Sequence, residues 1–342
     1  MLLPQLSIAQ LLNPGPIRLF MGAYGFEQRS LGWSDYQIHQ GSVLSRGFLF
    51  KYRHRKGRNL IHELRHNLQL LGISEPNDIT YDVPSPHTIE TEIEQKIWPI
   101  LDKIDEIILD ISAMTKLLIL VTLCKLIEFH GLLRIVDSEA NEYPPTNKDY
   151  ERYKQKMVEV AKFPSRGVEA IIRVKCLSSI RMQGQPVTMI AFASFNEQLV
   201  RHMLGTINPH RLIFINGRPP REDFRWREDA TQEIHKQLID QYKSDNPIDK
   251  LEKLLERVSS TLYYSETIDC LDDIYNNFGN YERIICAATG SKMQTVGLFF
   301  SKIRHPDIHI EYPTPDSYLV KGRPQGVRRI HEIFIPKFSE FL

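Results

Sequence analysis

The chain lacks most of the short signatures that would assign a chemistry at once. Its 342 residues include four cysteines, Cys124, Cys176, Cys270 and Cys286, and none forms a C-x-x-C pair. Each sits in an apolar or helical stretch, so buried, reduced thiols are expected rather than disulfides or a zinc site. There is no charge excess: 43 basic and 42 acidic side chains leave a formal net charge of +1. Any binding to nucleic acid or anionic lipid must therefore come from a local patch. No apolar run is long enough for a membrane span. The most apolar stretch, Leu117–Phe129, carries Lys125 and Glu128 and falls short of the roughly 20 residues a spanning helix needs. The N-terminal segment has no basic start and a broken apolar run, unlike a signal peptide. The expectation is a cytoplasmic protein with no membrane partner.

Catalytic and metal signatures are missing too. There is no H-E-x-x-H, no G-x-S-x-G and no P-loop spacing. His62 and His66 stand four apart on one helix face, the pattern of a surface pair rather than a zinc site. Asp110, Asp137 and Glu139 lie at strand ends without matching partners in the second half. No metal, no cofactor and no catalytic residue is expected from these motifs.

What is present is an ordinary globular composition, 42% apolar and 25% charged, at a length that suits two domains. The chain also repeats itself. Asp105–Val136 and Tyr281–Glu311 each run from a charged pair through a short β-branched stretch. Each then has a small-residue turn ending in Thr-Lys or Ser-Lys, an apolar helix and a second short strand. Tyr143-Pro144-Pro145-Thr146 and Tyr312-Pro313-Thr314-Pro315 follow, with Tyr150 or Tyr318 beyond. Upstream, Ile17–Gln28 resembles Val187–Gln198, and Phe48–Tyr52 resembles Leu212–Asn216. Ile79–Val83 and Thr261–Ser265 are paired in the same way, each ahead of an acidic helix.

Short apolar strands alternating with helical patterns give an α/β fold. The expectation is two duplicated Rossmann-like units with mainly parallel sheets flanked by helices, related by a pseudo-two-fold. The boundaries read as residues 1–146 for the first unit, an amphipathic linking helix over 147–166, and 167–342 for the second. Residues 167–185 predict one or two extra strands with a turn at Gln183-Gly184-Gln185, and 245–256 a polar helix begun by Asn246-Pro247.

In open parallel sheets, ligands bind beyond the carboxyl ends of the strands. Two loops fall there. Thr289-Gly290-Ser291-Lys292 opens a helix after Ile284–Ala287. Gly290 permits close backbone approach, Ser291 offers a hydroxyl and Lys292 a point charge, at a helix start that attracts anions. Its counterpart is Ser112-Ala113-Met114-Thr115-Lys116, where Thr115 and Lys116 repeat the pair without the glycine. The competing explanation is that Thr115 and Ser291 only cap helices. The loop after the first strand adds Tyr24, suited to stack on a base, and Arg29, suited to a phosphate. Ser194 and Asn196 stand in the matching loop of the second half. The basic run Lys51–Arg58, continued by Arg65 and His66, is a candidate nucleic-acid contact, with Arg218, Arg221, Arg225 and Arg227 recurring in the second half.

The strand, the Thr-Gly-Ser-Lys turn and the following apolar helix at Thr289-Gly290-Ser291-Lys292-Met293, with the looser Ser112–Lys116, resemble the ligand loop of CARF domains. These are Rossmann-like sensors of CRISPR-associated systems. The resemblance covers two loops and a general topology. It implies a tandem CARF-like or SAVED-like arrangement, in which two domains meet about a dyad and a cyclic oligonucleotide lies across it. Lys116, Thr115, Ser291 and Lys292 would then face the ligand. Met114 stands where the second loop has Gly290, so the two sites would be unequal. No effector-length segment is left over in the two halves, which implies either a stand-alone ring-opening enzyme or a sensor or adaptor subunit whose effector is a separate protein. The function expected is a nucleotide-binding sensor or regulatory subunit of a prokaryotic antiviral-defence system. Two alternatives stay open: a ring-nuclease-like enzyme cleaving a cyclic oligonucleotide, and a non-catalytic adaptor that binds a partner protein.

Overall fold

A computed structural model describes residues 3–53, 60–82, 84–156, 165–245, 254–318 and 323–338. The chain divides into two compact units, residues 1–143 with 324–342, and residues 144–323.

The first unit is built on a seven-stranded sheet. Its parallel part comprises β2 (Arg18–Ala23), β3 (Arg46–Tyr52), β4 (Asn77–Tyr81), β5 (Glu106–Asp110) and β6 (Leu132–Glu139), in the order β4-β3-β2-β5-β6. All six residues of β2 and all five of β5 are buried, as expected of central parallel strands covered on both faces. The crossovers are α1 (Arg29–His39), α2 (Ile61–Leu70), α3 (His87–Lys96) and α4 (Lys116–Lys125). The most apolar stretch of the sequence falls largely in α4, with Leu117 through Leu123 all buried.

The second unit repeats this strand order. Its parallel strands are β9 (Val187–Phe192), β10 (Arg211–Arg218), β11 (Leu254–Ser260), β12 (Arg283–Ala287) and β13 (His309–Thr314), in the order β11-β10-β9-β12-β13. The helices are α5 (Asn147–Tyr153), α6 (Glu197–Ile207), α7 (Trp226–Asp245), α8 (Tyr264–Phe278) and α9 (Lys292–Arg304). Numbered within its unit, each sheet reads 3-2-1-4-5, the Rossmann half-order with its switch point between strands 1 and 4.

Several expectations are corrected. Residues 324–338, assigned by sequence to the second unit, belong to the first. There β15 (Arg329–Ile335) pairs antiparallel with β6, and β1 (Leu6–Ile8) pairs with β15. The physical anchor is a buried charge chain on one sheet face. Glu106 takes Arg18 Nε at 2.6 Å and Arg134 Nη2 at 2.6 Å. Arg134 also reaches Glu332 of β15 at 3.1 Å, and Trp33 Nε1 donates to Glu332 at 2.9 Å. A charge chain of this kind holds only when all its members are present. Thr261–Ser265 is a loop and a helix start, not the counterpart of β4; that strand is β11, immediately before it. Consequently the helix expected over 245–256 does not extend to Glu256, which lies in β11; residues 246–253 are outside the described set. The linking helix is described as α5 followed by a short 3-10 turn at 154–156, and 157–164 are not described. In the extra segment, β8 (Ala170–Ile172) pairs antiparallel with β13, and β7 (Ser165–Arg166) pairs with β14 (Ser317–Tyr318).

Candidate functional site

In each unit the chain leaves strand 1 and strand 4 toward opposite faces of the sheet, which opens the place where α/β folds hold ligands. The first unit puts the β2–α1 and β5–α4 loops there. They touch closely: a Cβ added at Gly25 would stand 2.8 Å from Ala113 Cβ and 3.1 Å from Ser30 Cβ. Gly25 is therefore required by the approach of the other loop. The β5–α4 loop is held by its own polar groups. Asp110 accepts from Ser112 N at 2.9 Å, and Ser112 Oγ accepts from Ser138 N at 2.8 Å. Thr115 is the N-cap of α4, its Oγ1 accepting from Leu118 N at 3.2 Å. Lys116 is the first helical residue and only partly accessible. Desolvation of its ammonium lowers its pKa to about 8, because an amine without water around it gives up its proton more easily.

Tyr24 and Arg29, expected to meet a base and a phosphate, are engaged within the protein. The Tyr24 hydroxyl donates to Asp78 and accepts from Arg65 Nη2 at 2.9 Å. Burial and the Asp78 hydrogen bond push its pKa up to about 12. Arg29 is buried and pairs with Glu27 at 2.5 Å, with its guanidinium 5.5 Å from the Tyr143 ring centroid. Arg65, expected to extend the basic run, is likewise paired to Asp78 at 2.5 Å; of Lys51–Arg58, positions 54–58 lie outside the described residues.

In the second unit the β12–α9 loop occupies the switch point. Thr289 is buried and bridges to the end of β9: its Oγ1 donates to Phe192 O at 2.7 Å and accepts from Phe192 N at 3.1 Å. Gly290 lies against Phe192, whose Cβ would be 3.0 Å from an added Cβ. Ser291 is the N-cap of α9 in a capping box with Gln294, and its Oγ also donates to Thr261 O at 2.7 Å. Gln294 in turn donates to Ser259 Oγ at 3.0 Å. Lys292 follows as the first helical residue. Ser194 Oγ donates to Asn196 O at 3.3 Å, while buried Asn196 holds Ser165 Oγ at 2.8 Å. Asn196 thus ties down the start of the extra segment.

Both lysine loops therefore stand at the same point of the same strand order, each a hydroxyl cap followed by lysine. The capping role weighed for Thr115 and Ser291 is what their hydroxyls do in this structure. At each helix start the cap hydroxyl takes one first-turn N–H, from Leu118 or Gln294; the helix itself supplies no acceptor for the other N–H groups of that turn, and the positive end of its macrodipole lies there beside the lysine. The second basic cluster is compensated: Arg218 pairs with Glu228 at 2.8 Å and Arg221 with Asp223 at 2.5 Å. Arg227 stacks 4.4 Å from the Phe195 ring centroid and donates to Pro145 O at 2.8 Å. Sequence reasoning missed the partners that come from distant elements, Asp78 for Tyr24 and Arg65 above all; Glu27 and Asp223 stand two residues from Arg29 and Arg221, and Ser291-x-x-Gln294 has the spacing of a capping box. Among the described residues no group of three or more His, Cys, Asp or Glu is placed to hold a metal, and no helix is long and apolar enough to cross a membrane. Two cavities, of about 300 and 420 Å³, lie in the second unit away from these loops.

No protein-family model matches the chain, and no curated protein matches it. Solved structures similar to it include Can2 from Sulfobacillus thermosulfidooxidans in complex with cyclic tetra-adenylate, at 20% identity and a TM-score of 0.29, covering 41% of this chain. The match spans 37% of that protein's chain. A universal stress protein from Archaeoglobus fulgidus is similar over 87% of this chain and 96% of its own, at 9% identity and a TM-score of 0.25. The cytoplasmic domain of a prokaryotic cation chloride cotransporter is similar over 88% and 96%, at 7% identity and a TM-score of 0.24. The strand order and register, rather than these similarities, make each unit Rossmann-like.

Proposed function

We propose that the chain is a nucleotide-binding sensor or regulatory protein, CARF-like in type, in which each unit holds a ligand phosphate at the start of its fourth-strand helix. The observation that carries this reading is the recurrence of a hydroxyl cap plus lysine at the starts of α4 and α9, in two sheets whose five parallel strands follow the same order. In this reading the backbone N–H groups and Lys116 or Lys292 receive the phosphate, and the hydroxyls keep the helix starts rigid. A desolvated ammonium such as that of Lys116 is costly to keep charged, and an incoming phosphate offsets that cost. No catalytic group is needed. The ligand class is a phosphate-bearing nucleotide, cyclic oligonucleotides included, and the signal passes to a separate effector protein in a cytoplasmic defence system.

The test is thermal melting of the full chain with cyclic tetra-adenylate, its linear form, ATP and AMP, followed by analysis of the nucleotide. At about 100 times its Kd, a ligand adds about 2.7 kcal/mol to the state that binds it. The expected result is a rise in Tm with at least one nucleotide, recovered intact, and a smaller rise in Lys116→Ala and Lys292→Ala. Cleaved nucleotide would replace the sensor with the ring-nuclease reading. No shift with any nucleotide would leave the adaptor.

A further inference from the structure

β11 runs out into a turn that is tied to the start of α9. Ser291 Oγ donates to Thr261 O at 2.7 Å, and Gln294 Nε2 donates to Ser259 Oγ at 3.0 Å. Thr261 N donates in turn to Arg218 O at 3.0 Å. A buried hydroxyl closes the turn: Ser260 Oγ accepts from Leu262 N at 3.1 Å and from Tyr263 N at 3.0 Å. Ser260 N donates to Glu266 Oε2 at 2.8 Å, and Glu266 N donates to Tyr263 O at 3.1 Å. These bonds fix the backbone on both sides of residue 263. Its Cα stands at most about 7 Å from that of Thr261, the reach of two residues. Tyr263 is therefore mounted beside the helix start that carries Lys292, at the carboxyl end of the strands.

The ring held there is not used inside the unit. Tyr263 is 45% exposed, and its side chain has no hydrogen bond, ion pair or ring contact among the described residues. Other rings that follow the strands at this end are engaged. The Phe195 ring centroid lies 6.1 Å from that of Trp226, which stacks at 5.3 Å on Tyr150. Phe224 has the Arg221 guanidinium 3.9 Å from its centroid. Helix stability does not account for a tyrosine at this place either. Residue 263 is the N-cap of α8 and makes no side-chain cap hydrogen bond, at a position where serine, threonine, aspartate or asparagine is favoured. In the first unit the helix after the matching strand, α3, has Pro86 as its N-cap, which carries no aromatic ring.

We propose that Tyr263 is the platform on which the base of a bound nucleotide stacks when its phosphate lies at the start of α9. This rests on the nucleotide reading and narrows it: the second unit takes a nucleoside phosphate in preference to a sugar phosphate or inorganic phosphate. Stacking on an aromatic side chain suits such a ligand because every base has a flat π-face to offer. The hydrogen-bonded turn lowers the ordering cost that a free loop would impose on binding.

Calorimetric titration of the full chain with AMP, cyclic tetra-adenylate and ribose 5-phosphate tests it. The wild type should bind one or both adenine nucleotides, and should bind ribose 5-phosphate, which lacks the base, at least about fivefold more weakly. Tyr263→Phe keeps the ring and should bind the nucleotides like the wild type. Tyr263→Ser should weaken them at least about fivefold and leave ribose 5-phosphate unchanged. Its urea midpoint should equal or exceed that of the wild type, because serine is a favoured N-cap and Glu266 stands at the third helical position, the spacing of a capping box. A loss of affinity that came from a damaged helix would lower the midpoint instead and would overturn the proposal. Nucleotide affinity unchanged in Tyr263→Ser, or ribose 5-phosphate bound as tightly as the nucleotides, would overturn it alone and leave the nucleotide reading standing. No binding of either nucleotide by the wild type would overturn both.

Discussion

Lys116 concentrates the argument at the scale of single residues. Its pKa of about 8 lies below the ordinary lysine value of 10.5, so between those limits the folded protein binds fewer protons than the unfolded chain. Stability should therefore rise as pH increases from about 8 to 10.5, by up to about 1.4 kcal/mol per unit. Lys116→Met should remove that slope and raise stability at pH 7; urea melts from pH 7 to 10 measure both. Phosphate binding carries the opposite sign. Below pH 8 the amine is already charged, whereas above it binding must take up a proton. Nucleotide affinity should then fall by up to about tenfold per pH unit, which calorimetry in matched buffers detects. Gly25 makes a purely steric claim. The added methyl of Gly25→Ala would sit 2.8 Å from Ala113 Cβ, costing about 1–3 kcal/mol, and Ala113→Gly in the same chain should restore part of it. Lys116 stood out in the sequence as a candidate phosphate contact, but its desolvation did not. Gly25 was legible as a glycine in a loop, but its neighbour is 88 positions away and is supplied by the strand order.

Helix starts separate capping from binding at the scale of elements. Ser291 makes the cap hydrogen bond to Gln294 N and a second bond to Thr261 O, whereas Thr115 has the cap bond to Leu118 N. Ser291→Ala should cost about 1–2 kcal/mol and Thr115→Ala about 1 kcal/mol, read from denaturant midpoints. Ligand affinity should respond more to Lys292→Ala than to Ser291→Ala. Much at this scale was readable beforehand. The alternation of apolar strands and helical segments gave the α/β class, and α4 was foreseen from its apolar run. The element misread was β11. Its Leu254–Ser260 stretch carries Glu256 and Arg257 amid flanking polar residues, so its pattern resembled the tail of a polar helix. Pairing with β10 decided the outcome, a contact that local periodicity does not encode.

The chain's termini cooperate within the first unit, a whole-molecule feature that the order of residues concealed. Sequence similarity between the halves suggested a simple division, but β15 closes the first sheet through Glu332, which meets Arg134 at 3.1 Å and Trp33 at 2.9 Å. Glu332→Ala removes one partner of a buried charge and should cost about 3–5 kcal/mol, whereas the exposed Lys154–Glu151 pair should be nearly neutral on removal. A fragment of residues 144–323 should fold alone, while residues 1–143 should fold only with 324–342 supplied; circular dichroism melts compare them. The place of the two lysines at the switch point was legible because a repeated loop signals itself, whereas the pairing of Tyr24 and Arg65 with Asp78 was not, because that partner comes from the fold; Arg29 pairs locally, with Glu27 two residues before it. The decisive measurement is calorimetric titration of a nucleotide that stabilises the full chain into the wild type, Lys116→Ala, Lys292→Ala and the double variant. The account predicts that each single substitution weakens binding by about tenfold or more, as loss of a charge-assisted contact does, and that the double variant does not bind. Unchanged affinity in the double variant, with its fold intact, would contradict it.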